Sequence, residues 1–289
     1  METPDRDFTS ISPSARSLLL MKGMTNIPYA KEAAALMVAP AKYEPDTSNR
    51  DTFFWARLSH FEMRYWSIDQ LLNDLPIKNV LELSSGFSFR GLQMIRKNNI
   101  HYIDTDLPDL IKIKQQFIHS LKGEADQHAG QLETLPLNVL DKEKFREVIS
   151  HFPEGEIVIV NEGLLMYLDM SEKEKFCRII HDILEERGGY WITADIYIRR
   201  DIDNRLHGFN KTEKEFFEKH RIEENKFDSF EAASKFFNDM GFVIDKQSET
   251  DHTQITALGY LMKQATPEEL EKMRNAGRIR TTWRLTVKK

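Results

Sequence analysis

The spacing of apolar residues changes once along the chain, close to residue 76. Before that point apolar residues recur at helical spacing, and the pattern predicts helices over Ser14–Met24, Tyr29–Val38 and Trp55–Leu75. Pro76 marks the end of the last of these segments. We therefore predict an N-terminal helical cap over residues 1–76 that contributes to a ligand pocket.

After residue 76, short apolar runs alternate with amphipathic helical segments. Strands are predicted at Asn79–Leu83, Ile100–Asp104, Leu135–Val139, Glu156–Val160, Tyr190–Ile196, Gly241–Lys246 and Ile279–Val287. Helices are predicted at Phe89–Lys97, Leu107–Leu121, Lys142–His151, Ser171–Arg187, Phe230–Met240 and within Thr256–Ala276. This alternation predicts a Rossmann-like α/β core over residues 77–289, with a seven-stranded, mostly parallel sheet and a final antiparallel pair. Ligands of such sheets bind at the carboxyl ends of the strands.

One connection is too long for an ordinary link between a strand and a helix. Residues 197–227 are rich in charge and carry Phe209, Phe216 and Phe217. Long connections above the carboxyl end of a strand often line or cover a site. We predict a helical insertion here that helps to form the pocket.

Composition narrows the class of protein. Apolar residues make up 40% of the 289 positions and eighteen are Phe, as expected of a globular chain. A formal net charge of −6 argues against nucleic acid as a partner. The single cysteine, Cys177, excludes an internal disulfide and a cysteine-based zinc site, and it fits a cytoplasmic location. Apolar stretches such as Ala33–Ala41 are much shorter than the roughly 20 residues that cross a membrane.

The first candidate motif follows the first predicted strand, in Glu82-Leu-Ser-Ser-Gly-Phe-Ser-Phe-Arg-Gly91. Gly86 in this turn lets the backbone approach a ligand closely. The motif lacks the G-x-G-x-x-G pattern of dinucleotide sites, and Leu92-Gln93 replace the Lys-Ser/Thr of a phosphate-binding loop. An ordinary strand–turn–helix connection explains the motif equally well.

The second motif places Asp104 and Asp106 at the end of the second predicted strand, 20 positions after Gly86 in the case of Asp106. A carboxylate at this place can accept hydrogen bonds from both hydroxyls of a ribose. Aspartate also caps helices, and the next predicted helix has Pro108 in its first turn. Both interpretations stay open for each of the two residues.

Two further motifs follow the third and fourth predicted strands. Asn138 and Val139 could present a polar side chain and a backbone amide to an adenine edge, although Asn138 also suits a helix cap. Glu162, in Glu-Gly-Leu-Leu-Met-Tyr-Leu, lies where a ligand crosses the centre of a parallel sheet. Gly163 relieves crowding there, Tyr167 adds an amphipathic ring, and a buried Glu162 would need a cationic or hydroxyl partner.

The segment from Glu162 to Leu168, together with the preceding motifs in this order, resembles the leucine carboxyl methyltransferase family. The resemblance is to the branch of bacterial O-methyltransferases of polyketide biosynthesis, and it runs from about Ser10 to Asp195. It implies the class I methyltransferase fold, S-adenosylmethionine as cofactor and O-methyltransferase activity.

The resemblance also assigns roles to residues. It places Glu82, Gly86 and Arg90 in the methionine-binding turn, Asp106 on the ribose, Asn138 and Val139 on the adenine, and Glu162 beside the ammonium and sulfonium groups. Ser84, Asp104 and Gly163 belong to the same cofactor motifs. Arg57 is expected to bind the cofactor carboxylate, with Arg64 as the alternative, because a guanidinium holds a carboxylate by two hydrogen bonds.

The chain departs from the family in two places. The usual Gly-Ala-Gly-x-Asp-Thr-Arg turn is Ser84-Ser85-Gly86-Phe87-Ser88-Phe89-Arg90 here. The usual acidic residue against the adenine is Asn138.

The methyl acceptor is expected to be a small molecule with a carboxylate or a hydroxyl. A carboxylate is ionised at neutral pH and needs no general base, whereas a phenol needs one. Candidate bases are His60, His207 and His220, each also explained as a structural or exposed residue. Tyr167, Arg199 and Arg200 could contact an anionic acceptor. No histidine pair has the spacing of a metal site.

Three alternative functions stay open. The protein could bind the cofactor without catalysis, since Ser84 and Ser88 alter the first turn. It could methylate the C-terminal carboxylate of a protein. A Rossmann-fold dehydrogenase is disfavoured by the single-glycine turn and by the Glu-Gly motif at Glu162.

Overall fold

A computed structural model describes residues 12–76, 78–122, 128–199, 209–249 and 251–288. Its strands are β1 (Asn79–Leu83), β2 (His101–Asp106), β3 (Gln131–Pro136), β4 (Ile157–Asn161), β5 (Gly189–Tyr197), β6 (Phe242–Gln247) and β7 (Arg280–Val287). They form a seven-stranded sheet in the order β3-β2-β1-β4-β5-β7-β6. The first five strands are parallel, and β7 lies antiparallel between β5 and β6. The predicted fold class is confirmed.

Helices cover both faces of this sheet. They are α1 (Ser12–Lys22), α2 (Ala30–Val38), α3 (Thr52–Asn73), α4 (Arg90–Lys97), α5 (Pro108–Lys122), α6 (Lys142–Ile149), α7 (Met170–Arg187), α8 (Lys211–Lys219), α9 (Phe230–Asp239), α10 (Thr256–Gln264) and α11 (Pro267–Asn275). None of the helices in the described ranges is long and apolar enough to cross a membrane.

The central strands are apolar throughout because both of their faces are covered. Ile157 and Ile159 of β4 point into one core cluster, and Val158 and Val160 point into another. Successive side chains of a strand point to opposite faces, so a strand buried on both sides has no polar alternation. This explains why β1 and β4 are evident in the sequence.

The predicted position of the third strand, Leu135–Val139, is wrong. The strand covers Gln131–Pro136 and pairs with β2 from His101 to Asp106. It lies at the edge of the sheet, half of its residues are polar and all of them are at least partly exposed, so its sequence lacks a buried apolar run. Leu137 and Val139 are buried, but they lie in the loop that follows the strand.

Contacts between α3 and α10 join the N-terminal helices to the C-terminal part of the chain. The ring of Trp55 stacks on Tyr260 with 4.3 Å between centroids. Glu62 is fully buried and accepts the backbone N–H groups of Thr256 at 3.0 Å and Ala257 at 2.7 Å, which caps the start of α10. The division of the chain at residue 76 stays a prediction.

Candidate functional site

A cavity of about 2620 Å³ opens at the carboxyl ends of the parallel strands. The loops after β1, β2, β3 and β4 line one part of it, and residues of α1, α3, α8, α10, α11 and the segment before β7 line other parts. The residues singled out from the sequence that line this cavity include Arg57, Ser84, Gly86, Asp106, Asn138, Val139, Glu162, Gly163 and Tyr167. The cavity therefore lies where a parallel sheet is expected to bind its ligand.

Glu162 lies among three cations at the centre of this crevice. Its carboxylate is 2.7 Å from Lys22 Nζ, 3.1 Å from Arg64 Nε and 3.3 Å from Arg90 Nη2. Burial alone would raise the pKa of Glu162, but the three positive charges outweigh it and hold the pKa well below its usual range. Glu162 is therefore ionised, and it has the cationic partners that its burial requires.

Arg90 contacts Glu162 but does not line the cavity itself. Its guanidinium pairs with Asp69 at 2.6 Å and with Glu82, and it lies 4.2 Å from the centre of the Tyr65 ring. The hydroxyl of Tyr102 donates to the other oxygen of Glu82 at 2.6 Å. Arg90 and Glu82 do not line the cavity, because their polar atoms are used by one another and by these neighbours.

Asp104 also lies away from the cavity. Its carboxylate is 2.8 Å from Lys114 Nζ, and both side chains are completely buried. Lys114 in turn donates to the hydroxyl of Ser85 at 2.7 Å. Asp104 thus connects the end of β2 to α5 and to the turn after β1.

Asp106, in contrast, lines the cavity. One carboxylate oxygen accepts the N–H of Gly86 at 2.8 Å, and the other accepts the N–H of Leu107 at 2.7 Å. Each oxygen keeps a second lone pair. Burial raises the pKa of Asp106. Gly86 has a φ of 50°, and a Cβ on it would meet nothing within 4 Å, so this backbone faces open space.

Ser84 has the same left-handed backbone without being glycine. Its φ is 49°. The family that this chain resembles usually has glycine at this position, which adopts such a φ without steric cost. The turn therefore keeps its shape although its first glycine is replaced by serine.

The adenine candidates lie beyond β3. The side chain of Asn138 accepts the N–H of Leu140 at 3.1 Å, so it closes a turn, while Asp141 caps α6 by accepting from Lys144 at 3.0 Å. Val139 is 6% exposed and lines the cavity. Asn138 and Val139 therefore both line the cavity, and Asp141 rather than Asn138 caps α6.

Asp195, near the end of β5, positions part of the candidate site and was not identified from the sequence. It accepts the N–H of Gly163 at 2.7 Å, the N–H of Leu164 at 2.7 Å and the amide of Asn161 at 2.7 Å. These bonds hold the turn that presents Glu162. An acidic residue at the carboxyl end of the fifth predicted strand was the available signal. Lys22, Asp69 and Tyr197 gave no such signal.

The two candidate arginines of α3 lie in different surroundings. Arg57 pairs with Glu213 of α8 and lies 5.2 Å from the ring of Phe209. Arg64 is seven positions further, about two turns along the same face. It contacts Glu162 and lies 3.4 Å from the hydroxyl of Tyr197.

The candidate bases and acceptor contacts differ in their position relative to the cavity. His60 lines the cavity with its Nε2 2.8 Å from the hydroxyl of Tyr197. His220 is buried against the ring of Tyr167, with 6.0 Å between centroids. Arg199 is exposed and pairs with Asp228 at 2.6 Å. His207 and Arg200 lie outside the described residues.

No group of three or more potential metal-binding side chains occurs among the described residues.

Burial raises the pKa of Tyr167, whose ring also contacts Phe216. The cavity thus combines a charged crevice at the strand ends with an aromatic region near α8.

Comparison with solved structures finds distant likenesses. Magnesium protoporphyrin IX methyltransferase from Synechocystis PCC 6803, with bound SAH, has 8% identity and a TM-score of 0.49, over 84% of this chain and 90% of that one. An O-methyltransferase family protein from Burkholderia thailandensis has 13% identity and a TM-score of 0.46, over 83% and 60%. The mitomycin 7-O-methyltransferase has 8% identity and a TM-score of 0.47, over 96% and 67%.

A comparison with curated proteins finds no match. The family model of leucine carboxyl methyltransferase matches residues 12–181, which is more than half of the chain. This range contains α1 to α6, most of α7, and the first four strands with all the loops that carry the cofactor motifs. The chain therefore belongs to the leucine carboxyl methyltransferase family, which uses S-adenosylmethionine as methyl donor.

Proposed function

We propose that the chain is an O-methyltransferase that methylates a carboxylate or hydroxyl of a small molecule. The observation that carries the proposal is the arrangement of Lys22, Arg64 and Glu162 in the cavity. The amino-acid end of S-adenosylmethionine has one carboxylate and one ammonium. Two cations beside one carboxylate complement both of these charges.

The remaining cofactor contacts follow from the same crevice. Asp106 has acceptor capacity for the ribose hydroxyls, and Gly86 leaves space beside them. Asn138 and Val139 supply polar and apolar contacts for the adenine. Arg64 is preferred over Arg57 for the cofactor carboxylate, because Arg64 contacts Glu162 whereas Arg57 is paired with Glu213.

Glu82, Arg90 and Asp104 are proposed as positioning residues. They lie behind the cavity lining and hold Glu162 and the β1 turn through buried ion pairs. Removing one member of a buried pair leaves an uncompensated charge. Substitution of these residues would therefore disturb the site although they do not face the ligand.

When bound, S-adenosylmethionine supplies an electrophilic methyl group, which an acceptor oxygen attacks in line with the carbon–sulfur bond. The walls of the cavity contribute by orienting the acceptor oxygen and excluding water. For a carboxylate acceptor no base is needed. For a hydroxyl acceptor, the candidate base is His60, whose Nε2 lies 2.8 Å from the hydroxyl of Tyr197.

A role in polyketide biosynthesis and a cytoplasmic location are further proposals, from the resemblance and from the single cysteine respectively. Cofactor binding without catalysis and methylation of a protein C-terminus are the alternatives. The altered first turn favours the former alternative. Ser84 nevertheless keeps the left-handed backbone of the usual glycine, which supports an active enzyme.

Titration calorimetry with S-adenosylmethionine, its demethylated product and NAD tests the cofactor site. We expect S-adenosylmethionine and its demethylated product to bind. Their affinity should be about tenfold weaker in Glu162→Ala and in Asp106→Ala. Labelled cofactor with a panel of carboxylic acids and phenols then tests transfer. Binding of NAD alone would contradict the proposal, and cofactor binding without transfer to any acceptor would favour a non-catalytic protein.

A further inference from the structure

Among the described residues, one partly buried cation of the cavity lining has no acidic partner. Five lysines and arginines of the lining are buried or half-buried: Lys22, Arg57, Arg64, Lys226 and Arg280. Lys22 and Arg64 pair with Glu162, Arg57 with Glu213, and Lys226 with Glu223. Within the described ranges, Arg280 has no carboxylate within ion-pair distance.

The contacts of Arg280 leave much of its guanidinium available. Its Nη1 donates to the carbonyl of Ala194 at 3.3 Å and to the hydroxyl of Thr282 at 2.7 Å. Its Nε and Nη2 make no hydrogen bond with the part of the chain that the structure describes. Burial lowers the pKa of Arg280, so desolvation of this charge is not balanced by a neighbour. A ligand carboxylate would supply the missing partner and could bind in bidentate fashion.

Arg280 lies next to Tyr197 at the end of the sheet that borders the cavity. It is the first residue of β7 and pairs in register with Tyr197, the last residue of β5. The hydroxyl of Tyr197 lies within hydrogen-bond distance of His60 and Arg64. Burial is the main cause of the lowered pKa of Arg280; Tyr197, Asp195 and Glu162 act in the opposite direction and Arg64 in the same one, so the charged form keeps a net need for a partner. Arg280 therefore faces the boundary between the cofactor crevice and the remainder of the cavity.

One part of the cavity wall is aromatic. Phe53 and Phe209 meet edge to face at 5.2 Å, and Phe209 lies 4.8 Å from Phe217. These three rings and those of Phe61 and Phe216 line the cavity. Aromatic side chains contribute large apolar contact areas and favour aromatic ligands. A cation at one end and aromatic rings at the other complement an acid with an aromatic or other apolar body.

We propose that Arg280 binds the carboxylate of an aromatic or other apolar acid, and that this carboxylate is the methyl acceptor. In the reaction a carboxylate oxygen forms the bond to the methyl carbon, the carbon–sulfur bond breaks, and its electron pair goes to sulfur. The products are a neutral methyl ester and the thioether. Because the ester has lost its charge, it pairs weakly with Arg280 and leaves. This inference rests on the proposed function and specifies its substrate class.

The test is binding of benzoate, naphthoate, cinnamate and octanoate, each beside its neutral amide and methyl ester, to the protein saturated with demethylated cofactor. We expect at least one acid to bind more tightly than its amide and its ester. Arg280→Gln should weaken the binding of that acid about tenfold or more and leave the affinity for its amide unchanged. Arg280→Lys, which keeps the charge without the bidentate geometry, should retain part of the affinity.

Arg284→Gln is the matched control, since Arg284 lies on the same strand, pairs with Asp245 at 2.5 Å and does not line the cavity. It should bind the acid as the unaltered protein does. Acids that bind no better than their amides, or unchanged binding of the acid in a folded Arg280→Gln variant, would overturn the inference.

Cofactor affinity, measured separately in Arg280→Gln, should stay unchanged. A protein that binds no S-adenosylmethionine would refute the proposed function even if Arg280 still bound acids. Normal cofactor binding with no Arg280-dependent acid binding would refute the inference alone.

Discussion

The carboxylate of Glu162 accepts a hydrogen bond from the ammonium group of Lys22 at 2.7 Å, although 140 positions separate them in the chain. Lys22 is the last residue of α1, and Glu162 follows β4 directly. The N-terminal helices therefore contribute a charge to the centre of the proposed cofactor crevice. This contact makes the helical cap part of the proposed binding site.

Lys22→Met should weaken S-adenosylmethionine binding about tenfold, because one of the two cations proposed for the cofactor carboxylate is removed. Calorimetry measures the affinity, and thermal unfolding shows whether the variant is folded. Lys31→Met is the control, since Lys31 is exposed on α2 and outside the cavity. Equal affinities of the two variants would exclude Lys22 from the site.

Arg64→Gln and Arg57→Gln distinguish the two candidate arginines. We expect the first to weaken cofactor binding about tenfold and the second to change it less than about threefold, because only Arg64 contacts Glu162. If Arg57→Gln loses methyl transfer but keeps normal cofactor affinity, Arg57 acts on the acceptor, beside its neighbours Glu213 and Phe209. The reverse order of cofactor affinities would restore Arg57 as the carboxylate ligand.

Cofactor affinity should fall as the pH is lowered below neutral. The pKa of Asp106 is raised by burial, so its carboxylate takes up a proton in this direction and accepts ribose hydroxyls less well. Glu162 has a lowered pKa and stays ionised throughout. Asp106→Asn should bind weakly and should lose the part of the pH dependence that Asp106 contributes, whereas Asp69 and Asp104, whose pKa values burial raises to about 6, keep theirs. A slope in Asp106→Asn equal to that of the unaltered protein would show that another group titrates.

Ser84→Gly should stabilise the protein by about 0.5–1 kcal/mol. A left-handed conformation costs a residue with a side chain about 1–2 kcal/mol, and the greater freedom of glycine in the unfolded chain offsets part of the gain. Chemical denaturation measures the free energy of unfolding. Ser88→Gly in the same turn is the control. Because Ser88 is not among the residues with positive φ, we expect it to lower stability by about 0.5–1 kcal/mol. A destabilised Ser84→Gly would mean that its side chain matters more than its backbone.

Gly163→Ala should weaken cofactor binding and lower stability. Gly163 has a φ of 79°, and a Cβ there would lie 3.3 Å from Nη2 of Arg64, so the guanidinium beside Glu162 would have to move. The expected loss of stability is about 1–2 kcal/mol. Calorimetry and denaturation check the two effects. Unaltered values for both would mean that the turn held by Asp195 relaxes without cost.

The order of strands and helices, and the polar groups that end the strands, could be predicted from the sequence. Asp106 and Glu162 were identified because each directly follows an apolar run, and a strand with the turn after it is a local pattern. The edge strand β3 was placed too late because its polar and apolar residues are mixed and all partly exposed, so it has no such run. Local patterns thus carried the fold class and the positions of the loops at the site.

Only the tertiary structure decided which side chains meet in those loops. Arg64 and Glu162 are 98 positions apart, and their contact depends on how α3 packs across the sheet. The same packing turns Arg57 toward α8 and buries Glu82 behind Arg90. Apolar periodicity shows which face of a helix is buried, but charges on that face find partners only when distant segments come together. The sequence therefore determined which loops form the candidate site, and the folded chain determined its network of charges.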